Sequence, residues 1–236
     1  MLDFALARQQ MVDRQIAGRG VRDMRVLGAM REAPRERFVA DEMSEFAYED
    51  SPLPIEAGQT ISQPYIVAYM LEAAELKPND RALEIGTGSG YTASLLSRLC
   101  REVFTIERHD ELAELARMRL HRMGYNNIEV RFGDGTSGWP EQAPFEAILV
   151  GASGPSVPNG LRDQLAIGGR LIMPVGHAIH RQHLVKLVRR SQKQFDQQDL
   201  EDVTFVPLIG EHGWTEAQLR RQGSHRAHAL GRGKKR

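Results

Sequence analysis

Residues 81–96 read RALEIGTGSGYTASLL. An apolar run of strand length (81–85) meets glycines at 86, 88 and 90, and a helical pattern (90–99, GYTASLLSRL) begins at once. Strand, glycine turn and helix form the first half of a parallel βαβ unit. Glycine lets the backbone turn tightly and approach a ligand, while the helix start presents unpaired N–H groups. A ligand site is therefore expected at this first βα turn. The dinucleotide pattern GxGxxG would put its third glycine at position 91, which is Tyr91. The spacing is GxGxG, which weakens a nicotinamide reading. The plainer alternative is that these glycines serve the turn alone.

Working outward, the same alternation repeats. EVFTIE (102–107), IEVRF (128–132), FEAILVG (145–151) and GRLIMPVG (169–176) read as strands. Helical patterns cover 110–123, with Leu112, Leu115, Ala116 and Leu120 in register, and 160–166. This predicts an α/β fold, doubly wound around a mostly parallel sheet covered on both faces. Two late strands are expected at 183–190 and 202–210, separated by the polar turn SQKQFDQQD. Ahead of the sheet, 3–18 reads as an amphipathic helix with Asp3 as cap and Phe4, Met11, Val12 and Ile16 partly on one face. A second helix follows Asp23 and ends before Pro34. These form an N-terminal helical annex.

Composition narrows the function. The chain has 236 residues, 41% of them hydrophobic, enough for one substantial core. Formal charge is zero, yet 215–236 holds seven Lys/Arg against Glu216 alone, so 1–214 carries −6. That body lacks the basic footprint of a nucleic-acid binder. Cys100 is the single cysteine, which excludes an internal disulfide and argues against a cysteine-based metal site. No apolar run reaches membrane-span length, and the charged start MLDFALARQQMVDRQ is unlike a signal peptide. The expectation is a cytoplasmic monomer with no nucleic-acid, membrane or metal partner. We expect one domain over 1–214, with 1–60 as annex and lead-in and 61–214 as core, then a basic, disordered tail over 215–236.

Three successive strand ends carry polar groups. The first adjoins Gly86, with Glu84 on the strand and Thr87 in the loop. The second ends in Glu107, about 20 residues beyond the glycines, where a carboxylate accepts from ribose hydroxyls. The third ends at Gly133–Asp134–Gly135, where a carboxylate can meet an adenine amine. Each has a plainer reading, as a solvated charge or a turn. Together they fit S-adenosylmethionine, held by Glu84, Gly86, Thr87, Gly88, Gly90, Glu107, Asp134 and Gly135.

GQTISQP (58–64) carries no charge but two hydroxyls and two amides just ahead of the helical segment YIVAYMLEAAEL. Pro64 at the first helical position would make Gln63 the cap and leave the Ser62 hydroxyl free. Alternatively Ser62 caps the helix and Pro64 takes the second position. Glu49, Asp50 and Glu56 form an acidic cluster whose plain reading is a solvated face. His177, His180 and His183 have spacing compatible with metal ligands, but i and i+3 fall on opposite faces of a strand. Asp80 reads as a turn residue.

The sequence resembles the protein-L-isoaspartate (D-aspartate) O-methyltransferases over about 8–214. The likeness is carried by MVDRQI, RGVRD, PRERFV, AYEDSPLPI, GQTISQPYIVA, LEIGTGSGYTA, FGDG and VPNGLRDQLAIGGRLIMPVG. The glycine motif alone would indicate only a methyltransferase; AYEDSPLPI with GQTISQP is far more selective. The resemblance implies a class I AdoMet-dependent methyltransferase fold, isoaspartyl proteins and peptides as acceptors, and repair through a succinimide. It places Thr60, Ile61 and Ser62 at the substrate and associates Ser62 with the reaction. Methylation of a small molecule or RNA, or a silent cofactor-binding interaction protein, are the competing functions.

Overall fold

The computed structural model describes residues 3–178 and 181–219. Helix α1 (Phe4–Gln10) is capped by Asp3, whose Oδ1 accepts from the Ala5 and Leu6 amides at 3.0 and 3.1 Å. It continues into a π-helical turn, Met11–Ile16, that buries Met11, Val12 and Ile16. Helix α2 (Met24–Glu32) is capped by Asp23 in the same way. Strands β1 (Leu53–Pro54) and β2 (Thr60–Ile61) pair antiparallel and deliver the chain to helix α3 (Pro64–Ala73).

The core then runs β3 (Arg81–Ile85), α4 (Tyr91–Leu99), β4 (Glu102–Glu107), α5 (Asp110–Arg122), β5 (Ile128–Phe132), β6 (Phe145–Val150), α6 (Asn159–Asp163), β7 (Leu165–Ala178), β8 (Arg181–Arg189) and β9 (Phe195–Val203). Spatial order is β5-β4-β3-β6-β7-β8-β9. The first five are parallel, while β8 and β9 add antiparallel at one edge. Chain order reverses between β3 and β6, the switch point where such sheets open a crevice at their strand ends.

Strand periodicity sorts side chains onto two faces. Leu83, Ile85, Phe104, Ile106, Ile148 and Val150 pack in one cluster. Ala82, Val103, Ala147, Leu149 and Ile172 pack in the other, which also contains Met11, Ile16, Leu27, Met30, Phe38 and Leu71. The annex thus shares an apolar core with the sheet. Glu84 and Thr105, two residues beyond Ala82 and Val103, are buried on that same face.

The late strands differ from expectation. FDQQDLEDV, assigned largely to a turn by its polarity, is β9, while 204–210 forms no strand. As the last strand of the sheet β9 is largely exposed, so it shows no apolar alternation. Strand β7 is longer than the expected 169–176, and α6 ends at Asp163 rather than 166. Of the tail expected to be disordered, Thr215 and Gln218 cap a short helical turn, with Thr215 N donating to Gln218 Oε1 (2.8 Å) and Gln218 N to Thr215 Oγ1 (3.2 Å). The rest of that segment, 220–236, lies outside the described residues, as does His180.

Candidate active site

Gly86, Gly88 and Gly90 adopt φ of +92°, +52° and +90°, the left-handed region that a β-carbon disfavours. The turn closes through Gly90 N donating to Thr87 O at 2.8 Å. Gly90 is also the N-cap of α4 and has no side chain to satisfy the first helical amides. Glu107 fixes this loop. Its buried carboxylate accepts from Gly88 N through Oε2 (2.9 Å) and from His109 N through Oε1 (3.0 Å). A carboxylate offers about four acceptor positions, so two remain for a ligand. From α5, Arg119 Nη1 donates to Ser89 O at 2.6 Å, and its Nη2 lies 3.9 Å from Glu56 Oε1. Glu56 therefore belongs in part to this framework.

Three cavities meet here. One of about 290 Å³ is lined by Gly86, Gly88, Glu107, Gly135, Gly151 and, from the segment after β9, Val206–Ile209. A narrow second one of about 50 Å³ is lined by Glu84, Thr87, Tyr91, Ile61 and Ser62. The third is a cleft of about 700 Å³ bordered by Ser62, Gln63, Arg181, His183, Asp202 and Phe205. Thr60 and Gly151 line all three, and Ser62 stands where the second meets the third. The result is one trough running from the glycine loop to the cleft.

Glu84 is the most perturbed acid in it. Burial, against a Thr105 hydroxyl donation at 2.6 Å and with the Glu107 charge adding to it, pushes its carboxyl up to about 8. Thr87 Oγ1 lies 2.6 Å from Thr105 Oγ1 and extends the chain of contacts. A cation in the narrow cavity would favour the ionised form of Glu84. Asp134 is used differently from the expectation. Its Oδ1 accepts from Thr136 N (2.8 Å) and Oγ1 (2.7 Å), and its Oδ2 from Glu211 N (2.8 Å). Burial pushes its carboxyl up, and these three donations outweigh that and hold it below the usual range. Gly135, not Asp134, lines the cavity, and a Cβ on Gly135 would stand 2.5 Å from Ile85 Cγ2.

At the other end Pro64 is the first helical residue of α3 and Gln63 its N-cap. The capping role that sequence left open for Ser62 is filled from elsewhere. Asp50 Oδ1 accepts from Tyr65 N at 3.2 Å, its Oδ2 from Gln63 Nε2 at 2.8 Å, and Arg19 pairs with that oxygen at 2.6 Å. The Ser62 hydroxyl makes no hydrogen bond among the described residues and borders the trough. Asp50 was legible only as part of an acidic cluster. His183 Nδ1 meets Asp202 Oδ1 at 2.5 Å, and among the described residues no three His, Cys, Asp or Glu side chains converge as a metal site requires.

The walls fit S-adenosylmethionine. Glycines allow close backbone approach, Glu107 retains acceptor capacity, and Glu84 offers a carboxylate beside the narrow cavity into which a cationic group would fit. The comparisons agree. Residues 6–213 match the family model for protein-L-isoaspartate(D-aspartate) O-methyltransferase. A Pelobacter propionicus protein-L-isoaspartate O-methyltransferase 2 is 56% identical over 207 residues, 88% of this chain and 92% of that one. A solved protein-L-isoaspartate O-methyltransferase aligns with a TM-score of 0.79 at 29% identity, over 87% of this chain and 67% of the other. The Plasmodium falciparum protein described as the same enzyme, in complex with S-adenosyl-L-homocysteine, aligns at 0.74 and 26% identity, over 86% and 98%. This chain belongs to the protein-L-isoaspartate(D-aspartate) O-methyltransferase family.

Proposed function

We propose that this chain methylates the free α-carboxylate of L-isoaspartyl residues, and of D-aspartyl residues, in damaged proteins. The carrying observation is the trough in which Ser62 stands between the glycine-loop side and an open cleft. When bound, S-adenosylmethionine supplies an electrophilic methyl group on a sulfonium. An α-carboxylate has a reference pKa of roughly 3.3–3.7 and arrives ionised at neutral pH, so the site needs no general base.

The chain's task is alignment. Neutral donors at Thr60–Ser62 orient the anion without the charge neutralisation of an Arg or Lys salt bridge, which would blunt the attacking oxygen. Ser62 donates to one carboxylate oxygen and leaves the other to attack. Glu107 holds Gly88 and receives ribose hydroxyls; Glu84, Gly86, Thr87 and Gly90 surround the methionyl end, and Asp134 keeps Gly135 against the base. Ile61, buried between Thr60 and Ser62, fixes the height of both. Fixing oxygen, carbon and sulfur in line is a proximity effect that can reach about 7–11 kcal/mol.

The following backbone amide nitrogen then attacks the ester carbonyl and expels methanol, and water reopens the resulting succinimide in part as aspartate. On this reading residues 1–214 act as one domain in a monomeric, cytoplasmic enzyme. The core shared by annex and sheet supports the first part, and among the described residues no helix is long and apolar enough to cross a membrane. The −6 body speaks against an RNA acceptor.

The test is methyl transfer from labelled cofactor to two peptides that differ only in isoaspartate or aspartate at one position. Label on the isoaspartyl peptide alone, released as methanol by mild base, is the expected outcome. Cofactor binding with label on neither peptide would overturn the acceptor assignment.

A further inference from the structure

The β8–β9 side of the cleft carries a charge that the methyl transfer itself does not use. Arg181 opens β8, is exposed, and borders the same cleft as Ser62. Three charged or ionisable side chains line that cleft among the described residues: Arg181, His183 and Asp202. Two of them are engaged with each other, His183 Nδ1 to Asp202 Oδ1 at 2.5 Å. Arg181 forms no ion pair among the described residues. It also borders a neighbouring hollow of about 460 Å³ that Asp199 lines, without an ion pair to that carboxylate. In a body carrying −6, a cleft guanidinium with no ion pair among the described residues is a local exception.

We propose that Arg181 makes this enzyme select isoaspartyl sites that carry an acidic side chain beside the damaged residue. The inference rests on the isoaspartyl reading above and names a feature of the substrate that reading leaves open. A guanidinium presents a planar fork of donors matched to a carboxylate. The isoaspartyl α-carboxylate is held near Ser62, so a cation elsewhere in the cleft meets a second anion of the same peptide. An exposed pair contributes modestly, and salt screens it. Asp202 opposes the same contact, since its carboxylate is the only one lining the cleft among the described residues.

The experiment compares kcat/KM for isoaspartyl peptides bearing Glu, Gln or Lys immediately before or immediately after the isoaspartate, at low and at high salt. The wild type is expected to favour Glu over Gln by about two- to fivefold at low salt, with Lys below Gln and the preference fading at high salt. Arg181→Ala brings the Glu-to-Gln ratio close to one, Arg181→Glu inverts it, and Asp202→Asn raises it. Arg190→Glu, just past the far end of β8 where Arg190 pairs with Asp196, leaves the ratio as in wild type. A wild-type ratio of one, or a preference that survives Arg181→Glu, overturns the proposal while leaving isoaspartyl methylation in place. A ratio that moves as far in Arg190→Glu as in Arg181→Glu overturns it too, because the effect would then be a general field. Failure to label any isoaspartyl peptide would instead strike the functional reading on which it rests.

Discussion

The two ends of the trough are built by different means. The glycine-loop end is framed largely by consecutive strand–turn–helix units, where the Glu107 carboxylate accepts from the Gly88 and His109 amides and Gly90 N donates to Thr87 O, all within 24 residues of sequence. The acceptor end is assembled from distant pieces: the lead-in around Thr60–Gln63, the start of β8, and the segment 202–207 after and at the end of β9. The first is framed mainly by one stretch of chain with a buried Glu107, and Val206–Ile209 close it from after β9. The other is open and bordered by exposed side chains. Donor binding and acceptor choice should therefore fail separately under mutation.

Gly90→Val is the strongest way to break the cofactor end. A β-branched residue at φ +90° is strained by about 1–3 kcal/mol, and its Cβ would stand 3.3 Å from Leu120. Titration calorimetry is expected to show at least about tenfold weaker cofactor binding, a factor that 1.4 kcal/mol already supplies, with a lowered melting temperature. Wild-type affinity in this variant would mean that the loop is not the cradle.

Glu84 sharpens the same end through pH. Its folded carboxyl is raised from 4.5 to about 8, so its stabilising contribution is complete below 4.5 and is lost as pH rises through about 8. The cofactor-free protein should therefore melt progressively lower between pH 5 and 8, and Glu84→Gln should flatten that slope while weakening cofactor binding. Parallel melting curves for the two proteins would contradict the buried acid.

Asp50→Ala probes the other end. Loss of the contacts to Tyr65 and Gln63 should cost about 1 kcal/mol in urea unfolding and raise the acceptor KM, with cofactor affinity unchanged. An equal loss of cofactor affinity would show that the two ends are coupled. The smallest effect is expected at Ser153→Ala. Its hydroxyl is buried without a partner among the described residues, and the links to Val206 O and from Leu208 N use its backbone only. Removing it should change stability by less than about 1 kcal/mol, in the stabilising direction.

The same contrast governs what the sequence disclosed. The glycine turn and the strand-end Glu107 beside it were legible because glycine spacing and strand ends are local signals, whereas the choice between Ser62 and Gln63 as the residue before α3 was open until the structure put Gln63 there. Asp134 lay in a correctly placed strand end, and its bonds from Thr136 are local, but the one from Glu211 depends on a segment 77 residues away. Strand β9 was hidden because DQQDLED is polar on both faces of an exposed edge. Displacing that strand in turn concealed 204–209, whose extended path borders the trough and whose Leu208 is buried there. Asp50 as the remote cap of α3, and Arg181 on the cleft, follow from tertiary placement that no periodicity encodes.

In the function proposed above, Ser62 orients an acceptor that arrives already ionised. Single-turnover methyl transfer to an isoaspartyl peptide by Ser62→Ala at saturating cofactor, with cofactor affinity measured on the same sample, tests it most directly. The expected rate is about 10- to 100-fold lower, the worth of a hydrogen bond to a charged group, with unchanged cofactor affinity and melting temperature. A wild-type rate, or a loss explained by weaker cofactor binding, would contradict it.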